Sequence, residues 1–313
     1  MGLRLKKING VGYYYLDLNY YIADGAKKFS KYVGSKKPSK KEAAKIEDAF
    51  KSEIIGRLFG GKSKTVNVSK DELIKAALFR DRFFRKYNSF APIKKRKYDV
   101  DSMIMFTLTT LTTEDVDVSL DDVVNAYEKE TGLSQREKIS KNTLNAINFI
   151  RENKKIDENF FLKLHKITMA EFETKTPGKL RGKQVYIHKR DESNPRGIEI
   201  SYRPPAYAKI PKLLREFVEW YNSTELNTLE KAFEAHCMLY AIHPFLDGNK
   251  RICRLVLNKT LLDNGFPLLN ISAKKEEYFR SLIKATETRQ QRHFTKFAFE
   301  QYFEQVKKFL KGK

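Results

Sequence analysis

His243-Pro244-Phe245-Leu246-Asp247-Gly248-Asn249-Lys250-Arg251-Ile252-Cys253-Arg254 is the stretch on which the reading of the whole chain turns. Pro244 stops an apolar helix arriving over residues 229–242, and Ile252 opens another that runs to Leu262, so the twelve residues make a helix, a tight loop and a helix. Gly248 and Asn249 tolerate the positive φ that lets successive backbone N–H groups converge. They stand at the start of a helix, whose positive dipole end favours anions. Arg251 and Arg254, three apart, share one side of the first turn and can grip phosphate oxygens in bidentate fashion. Asp247 offers a hard oxygen suited to Mg²⁺ shared with phosphates. His243, whose imidazole titrates near neutrality, can take a proton from an attacking hydroxyl. A terminal histidine, an Asp-Gly turn or a surface arginine is usually structural when met alone. Their joint spacing points to nucleotidyl or phosphoryl transfer.

Outward from this loop the pattern is mostly helical from about Tyr98 onward. Asp157 can cap a helix that buries Phe161, Leu164 and Ile167, and residues 210–221 form another with Leu213, Leu214 and Val218 inward. Asn264-Gly265 followed by Pro267 is the expected stop for the helix after the loop. Residues 177–211 interrupt the helices with glycine and proline. Toward the front, residues 4–8, 13–22 and 27–33 read as strands separated by the turn signals Asn9-Gly10 and Asp24-Gly25. Lys36-Lys37-Pro38-Ser39-Lys40-Lys41 reads as a basic linker to helices over 45–59 and 70–90, with Ser69 as a cap. Pro92 and Lys94-Lys95-Arg96-Lys97 are expected to close that region as a charged linker or a nuclear address.

At 313 residues, a main domain with a smaller appendage is the expectation. A composition of 41% hydrophobic and 32% charged residues excludes both a disordered chain and a membrane protein. No uncharged apolar run of membrane-spanning length occurs, so neither a signal peptide nor a span is expected, and the location is expected to be cytoplasmic. Two cysteines, Cys237 and Cys253, exclude a disulfide scaffold and a four-cysteine zinc site. Net charge is +22 and uneven: residues 1–100 hold 25 basic and 10 acidic side chains, the rest 36 and 29. A basic front attracts phosphate backbones or acidic surfaces, or simply keeps the chain soluble.

The twelve-residue stretch resembles the signature of the Fic family, His-x-Phe-x-Asp/Glu-Gly-Asn-Gly-Arg-x-x-Arg, at eleven of twelve positions counting the free ones. His165, Pro177-Gly178-x-x-Arg181, Tyr202-x-Pro204-Pro205, Trp220-Tyr221-Asn222 and His236 look like its flanking landmarks, so the resemblance covers roughly residues 98–305. It implies a mainly α, Fic-fold helical domain with a β-hairpin flap over 98–313, behind a small basic antiparallel sheet at 1–35 and a helical connector at 36–97. The implied activity is transfer of AMP from ATP to Ser, Thr or Tyr hydroxyls of target proteins and of the chain itself. His243 would be the base, Asp247 the Mg²⁺ ligand, Gly248 with Asn249 the anion hole, and Arg251 and Arg254 the holders of the β- and γ-phosphates. Phe245 would anchor the loop. Gln184, Val185 and Tyr186 fall in the strand of a flap that would pair with the target, and Phe279, Leu282 and Thr286 in an adenine-binding segment, where Thr286 replaces a frequent Asn. A homodimer is a further expectation.

Lys250 departs from the pattern, which has glycine there. Lysine at that place resembles Doc-like relatives, which transfer a phosphoryl group with the nucleotide reversed, so Lys250 is expected to touch the nucleotide. Gly248 and Arg254 are kept, which favours AMP transfer. Upstream, Thr110-Leu111-Thr112-Thr113-Glu114-Asp115 resembles the inhibitory motif Ser/Thr-x-x-x-Glu-Gly/Asn except at its last place. The resemblance implies an inhibitory helix near 110–124 whose Glu114 pairs with Arg254 and holds the enzyme off. A reading of another class makes the chain a nucleic-acid-binding regulator with a relic Fic domain, its tyrosine-interleaved basic front stacking on bases and tracking phosphates.

Overall fold

The computed structural model describes residues 2–22, 25–61, 64–190 and 198–312. Near the start, alternating residues make three antiparallel strands in the order β1 (Gly2–Ile8), β2 (Val11–Ile22), β3 (Gly25–Gly34). Asn9 and Gly10 turn the first hairpin with φ of 49° and 79°, the paired left-handed geometry that Asn-Gly supplies. Asp24 of the second turn signal lies outside the described residues. On β2 Leu16, Leu18 and Tyr20 are buried while Asn19 and Tyr21 are exposed, the period of two of a half-covered strand.

Two helices follow, α1 (Lys40–Leu58) and α2 (Lys70–Asn88), with α2 packed on β2 and α1 on α2. Both start on capping boxes. The Ser39 amide donates to Glu42 Oε2 at 2.8 Å while Ser39 Oγ accepts from the Glu42 amide at 3.3 Å, and Ser69 does the same with Glu72. This box starts α1 at Lys40, ahead of the expected position 45, so the end of the basic linker is helical. Pro92 and the basic cluster 94–97 likewise open a helix, α3 (Pro92–Thr112), where a first-turn proline loses no hydrogen bond.

The chain divides into two compact units. One contains the residues up to Ser89, Glu225–Asn227 and the last stretch from Phe303. Within it Phe83 meets Phe309 with ring centroids 4.3 Å apart, and Lys86 Nζ donates to the carbonyls of Phe309 and Leu310, both at 3.0 Å. A cation on the last carbonyls of a helix is a favourable cap.

The other unit runs from Phe90 to Tyr302 without Glu225–Asn227. After α3 come α4 (Leu120–Glu128), α5 (Gln135–Glu152), α6 (Glu158–Thr168), the hairpin β4 (Ile187–Arg190) and β5 (Ile198–Tyr202), α7 (Ile210–Ser223), α8 (Thr228–Ile242), α9 (Asn249–Asp263), α10 (Lys275–Glu287) and the first part of α11 (Arg292–Lys311). Asp157 caps α6 by accepting the Phe160 amide at 2.9 Å. The centre is α9, packed by α8, α5, α6 and α3 and buried on every side. Two of its buried polar residues find partners inside: Asn258 donates to Arg254 O and Leu269 O and accepts the Leu269 amide, and Lys259 holds Asp263. Cys237 and Cys253 are buried free thiols whose burial pushes both pKa values up.

Two expectations shift. No helix spans 110–124: α3 stops at Thr112, Asp115 takes a φ of 58°, and α4 restarts behind the Ser119 cap, so Glu114 stands in a turn. Residues 184–186 precede the paired strand, whose first pair is Ile187 with Tyr202, and the Gln184 side-chain amide donates to the carbonyls of Val185 and Pro204 at 3.1 and 2.9 Å. Among the described residues no helix is long and apolar enough to cross a membrane.

Candidate active site

α8 delivers His243 and α9 begins at Asn249, so the loop between them sits on the most buried helix of its unit. His243 has φ 51°, a left-handed conformation unusual for a side-chain-bearing residue. Arg181 holds it there: its Nε donates to His243 O at 2.7 Å, its backbone amide to Pro244 O at 2.9 Å, and its Nη2 to Pro205 O at 2.5 Å. The imidazole is half-buried. Burial pushes its pKa down to about 4, and the nearby charges of Arg181 and Lys250 act in the same direction, so the ring is neutral at pH 7. Its Nδ1 lies 3.3 Å from Tyr240 O, a group that only accepts. The proton therefore sits on Nδ1, and Nε2 is left as the base.

The loop is clamped by side chains imitating backbone. Asn249 Oδ1 accepts the Phe245 amide and Asn249 Nδ2 donates to Phe245 O, both at 2.9 Å. Buried Phe245 stacks on His165, ring centroids 3.8 Å apart and planes 3° from parallel. His165 Nδ1 accepts the Gly178 amide at 2.9 Å, so Nε2 carries the proton it gives to Asp247 O at 3.1 Å. Gly248 takes φ 72°, and a Cβ there would lie 2.6 Å from Met169 Sδ. Only glycine avoids both the steric and the conformational cost. The first regular bond of α9 is Ile252 N to Gly248 O at 3.1 Å, which leaves the amides of residues 249–251 as the helix's anion-attracting end.

Behind the loop are two buried cations on one carboxylate. Glu114 meets Arg254 Nη2, and its other oxygen is 3.1 Å from Arg251 Nε. The side chains of Arg254, Arg251 and Glu114 are 0%, 3% and 7% exposed. Burial opposes the charge on Glu114, but Arg251, Arg254 and Lys250 together hold its pKa below the usual glutamate value. Arg254 is further tied by Nε to Thr110 Oγ1 at 2.6 Å, by Nη2 to Thr110 O at 2.9 Å, and by Nη1 to Tyr278 OH at 3.5 Å. Arg251 Nη1 is buried with no hydrogen-bond partner, and its guanidinium lies 5.3 Å from the Phe172 ring centroid. An orphaned guanidinium nitrogen is a costly feature that an incoming anion would relieve.

Asp247 is more open: Oδ1 accepts the Gly248 amide at 2.7 Å and Oδ2 lies 3.6 Å from Lys175 Nζ. Among the described residues no three His, Cys, Asp or Glu side chains gather to hold a metal ion. One exposed carboxylate beside an anion-binding helix end fits Mg²⁺ of the kind that takes its other ligands from phosphates and water. Lys250 is half-buried, with Nζ 4.7 Å from the Phe279 ring centroid, and burial lowers its pKa. Of the three residues read as a base clasp, Phe279 is half-buried at that cation, Leu282 is fully buried in the core, and Thr286 spends its hydroxyl on Leu282 O at 2.8 Å. Near the hairpin Tyr186 is exposed, with the Arg203 guanidinium 5.9 Å from its ring centroid.

The twelve-residue stretch thus comes together with Glu114, Phe279 and the landmarks His165 and Arg181. Lys175, and Thr110 and Tyr278 as ligands of Arg254, lie outside what the sequence leads one to expect. Thr110 was visible as the threonine of the inhibitory pattern, and Tyr278 as the neighbour of Phe279. Nothing in the sequence marks Lys175.

Residues 155–261 match the model of the Fic/DOC family. Protein adenylyltransferase fic-1 of Caenorhabditis briggsae is 29% identical over 143 residues, which cover 44% of this chain and 26% of that protein. A probable protein adenylyltransferase of Aquifex aeolicus is 27% identical over 193 residues, covering 58% and 54%. The chain spans between about a quarter and about half of the length of these curated relatives. Among solved structures, a Fic family protein from Desulfovibrio desulfuricans superposes with TM-score 0.64 at 19% identity over 79% of this chain and 75% of that one. Fic-1 of C. elegans gives TM-score 0.61 at 20% identity over 87% and 77%. The fold is the mainly helical Fic fold, carried here with a small N-terminal antiparallel sheet.

Proposed function

We propose that the chain is a protein adenylyltransferase that moves AMP from ATP to a Ser, Thr or Tyr hydroxyl, and that Glu114 holds it off. The observation that carries this reading is the pair of buried guanidiniums on one carboxylate at the head of α9. Two desolvated cations need an anion. Glu114 fills that need in the resting chain, and a polyphosphate would fill it in the working one. Naming of the curated relatives as protein adenylyltransferases supports the choice of chemistry.

In the working state Arg254 and Arg251 hold the β- and γ-phosphates, the orphaned Nη1 of Arg251 finding its acceptor there. The amides of residues 249–251 at the start of α9 face the α-phosphate, while the Asn249 side chain keeps the loop in shape. The target's hydroxyl oxygen attacks the α-phosphorus, the bond from that phosphorus to the bridging oxygen breaks, and pyrophosphate leaves. The hydroxyl proton goes to Nε2 of His243, which is neutral and free of the Nδ1 hydrogen bond. Asp247 is the residue that would hold Mg²⁺, which when bound neutralises charge on the phosphates. Phe279 offers a ring face for the base. Residues 184–186 lead into β4, whose strand backbone is where the target segment can pair.

Lys250 favours a second reading, phosphoryl transfer of the Doc-like kind, because its ammonium stands over the Phe279 face that a base would use. Incubation with ATP labelled at the α or the γ position decides between them. AMP transfer puts only the α label into protein, with Glu114→Gly raising incorporation and His243→Ala abolishing it. Incorporation of the γ label alone overturns the proposal in favour of the second reading. Equal labelling by wild type and Glu114→Gly removes the inhibitory role.

A further inference from the structure

Among the described residues, the contacts of α1 and α2 fall on one face of the N-terminal sheet, the side of Tyr20 and Lys31, and the other face is left to itself. Register places Arg4 opposite Tyr15, Lys6 opposite Tyr13, Tyr15 opposite Tyr32 and Asp17 opposite Ser30. These residues share one side, while Leu16, Leu18 and Tyr20 point to the buried side. Tyr13, Tyr15 and Tyr32 form a contiguous aromatic cluster, with Tyr32 centred 6.1 Å from Tyr13 and 5.6 Å from Tyr15. Tyr32 is 53% exposed. The Arg4 guanidinium lies 5.1 Å from the Tyr15 ring centroid, and Lys6 and Lys28 flank the cluster on the outer strands.

Among the described residues the one acid on this face, Asp17, is already neutralised: Arg4 Nε reaches it at 2.8 Å, Lys28 Nζ at 2.6 Å and Ser30 Oγ at 2.5 Å. The face is therefore net positive, and the exposed Lys36 and Lys37 follow directly after β3. An ordinary solvated sheet face carries polar residues of both signs. This one carries rings interleaved with cations and has the carboxylate of Asp17 internally paired.

We propose that this face is a binding platform for single-stranded nucleic acid, with tyrosine rings stacking on unpaired bases and Arg4, Lys6 and Lys28 tracking the phosphates. Single strands fit better than duplex because a ring face can be used only by a base whose own face is open. Charge complementarity supplies the rest, since a chain of +22 concentrates +15 in residues 1–100. The inference is independent of the transfer chemistry at α9.

Fluorescence anisotropy of the full-length protein with labelled 15-residue oligo(dT) and oligo(U) tests it. Three phosphate contacts predict that affinity for either single strand falls about 20-fold between about 50 and about 200 mM NaCl. Tyr32→Ala should weaken binding about tenfold and Tyr32→Phe should restore it, as expected for one stacked ring. Lys6→Glu with Lys28→Glu should flatten the salt dependence. Excess ATP with Mg²⁺ should leave the oligonucleotide bound. Duplex bound as tightly as single strands, Tyr32→Ala without effect at an unchanged melting temperature, or displacement by ATP would each overturn the assignment.

Discussion

Two carboxylates in this molecule, Glu114 and Asp17, are each bracketed by two cations, and they behave differently. Both have nearly covered side chains, 7% and 8% exposed. Both are held below the usual carboxylate range, Glu114 by Arg251 and Arg254 and Asp17 by Arg4 and Lys28. The contrast lies in the partners. Those of Glu114 are sealed in the core, whereas Arg4 and Lys28 are 44% and 50% exposed. Sealed cations have no water to fall back on, so removing their anion costs much and another anion is welcome in its place. Surface cations keep most of their hydration, so their pairing is weak, screened by salt and easily shared with a passing polyanion. One arrangement suits a switch and the other a landing surface.

The largest expected effect tests what the sealed pair guards. In a Glu114→Gly background, His243→Ala should lower the initial rate of label transfer from α-labelled ATP by about 10² to 10⁴-fold, the usual contribution of a positioned base. A residual rate near that of the parent would detach His243 from the chemistry.

Next is the cost of breaking each pair. Glu114→Ala leaves two buried guanidiniums uncompensated and should cost about 3–5 kcal/mol in denaturant unfolding. Asp17→Asn should move the midpoint much less. ATP with Mg²⁺ should restore more stability to Glu114→Ala than it adds to wild type, because the nucleotide then has no carboxylate to displace. Equal costs at the two sites would erase the contrast.

The pH dependence sharpens it further. Because Glu114 has its pKa lowered from 4.5, its contribution to stability is complete above that value and is lost as pH falls through the lower folded value. Thermal melts should therefore show no loss from this pair at neutral pH, and a loss only in acid. Activity of Glu114→Gly should be flat through neutrality and decline only as pH approaches the value of about 4 to which His243 is depressed. A midpoint near 6.5 would mean that the imidazole is not desolvated during turnover.

The smallest effect concerns the loop itself. Gly248→Ala should cost about 1–3 kcal/mol through the left-handed φ, with the Met169 tip having to move as well. Differential scanning fluorimetry reads it, and a neutral result would show that the turn can relax.

Much of this site was legible because its parts are contiguous: helix, loop and helix occupy residues 228–263, and the loop's chemistry is written in twelve successive letters. Glu114 was legible from the Thr-x-x-x-Glu pattern, but its second partner was not, because the approach of Arg251 is set by the turn at Asp115 rather than by any local spacing. Asn249 is expected in the anion hole through its backbone amide, and the structure adds a second task, its side chain mimicking a peptide for Phe245. Sequence cannot distinguish an amide that faces a ligand from one that faces its own loop. Helix starts were misplaced where a supposed breaker opened a helix, Ser39 as the cap of α1 and Pro92 in the first turn of α3. Leu282 shows the limit from the other side, since a helical stripe of apolar residues does not reveal which of them the core will claim.

The two buried thiols have a practical consequence. Cys237 and Cys253 are enclosed and held protonated, so maleimide dyes should pass both by while the fold is intact. A cysteine introduced at Ser30 would then carry the only fluorophore, placed on the tyrosine face without any need to remove a native sulfur.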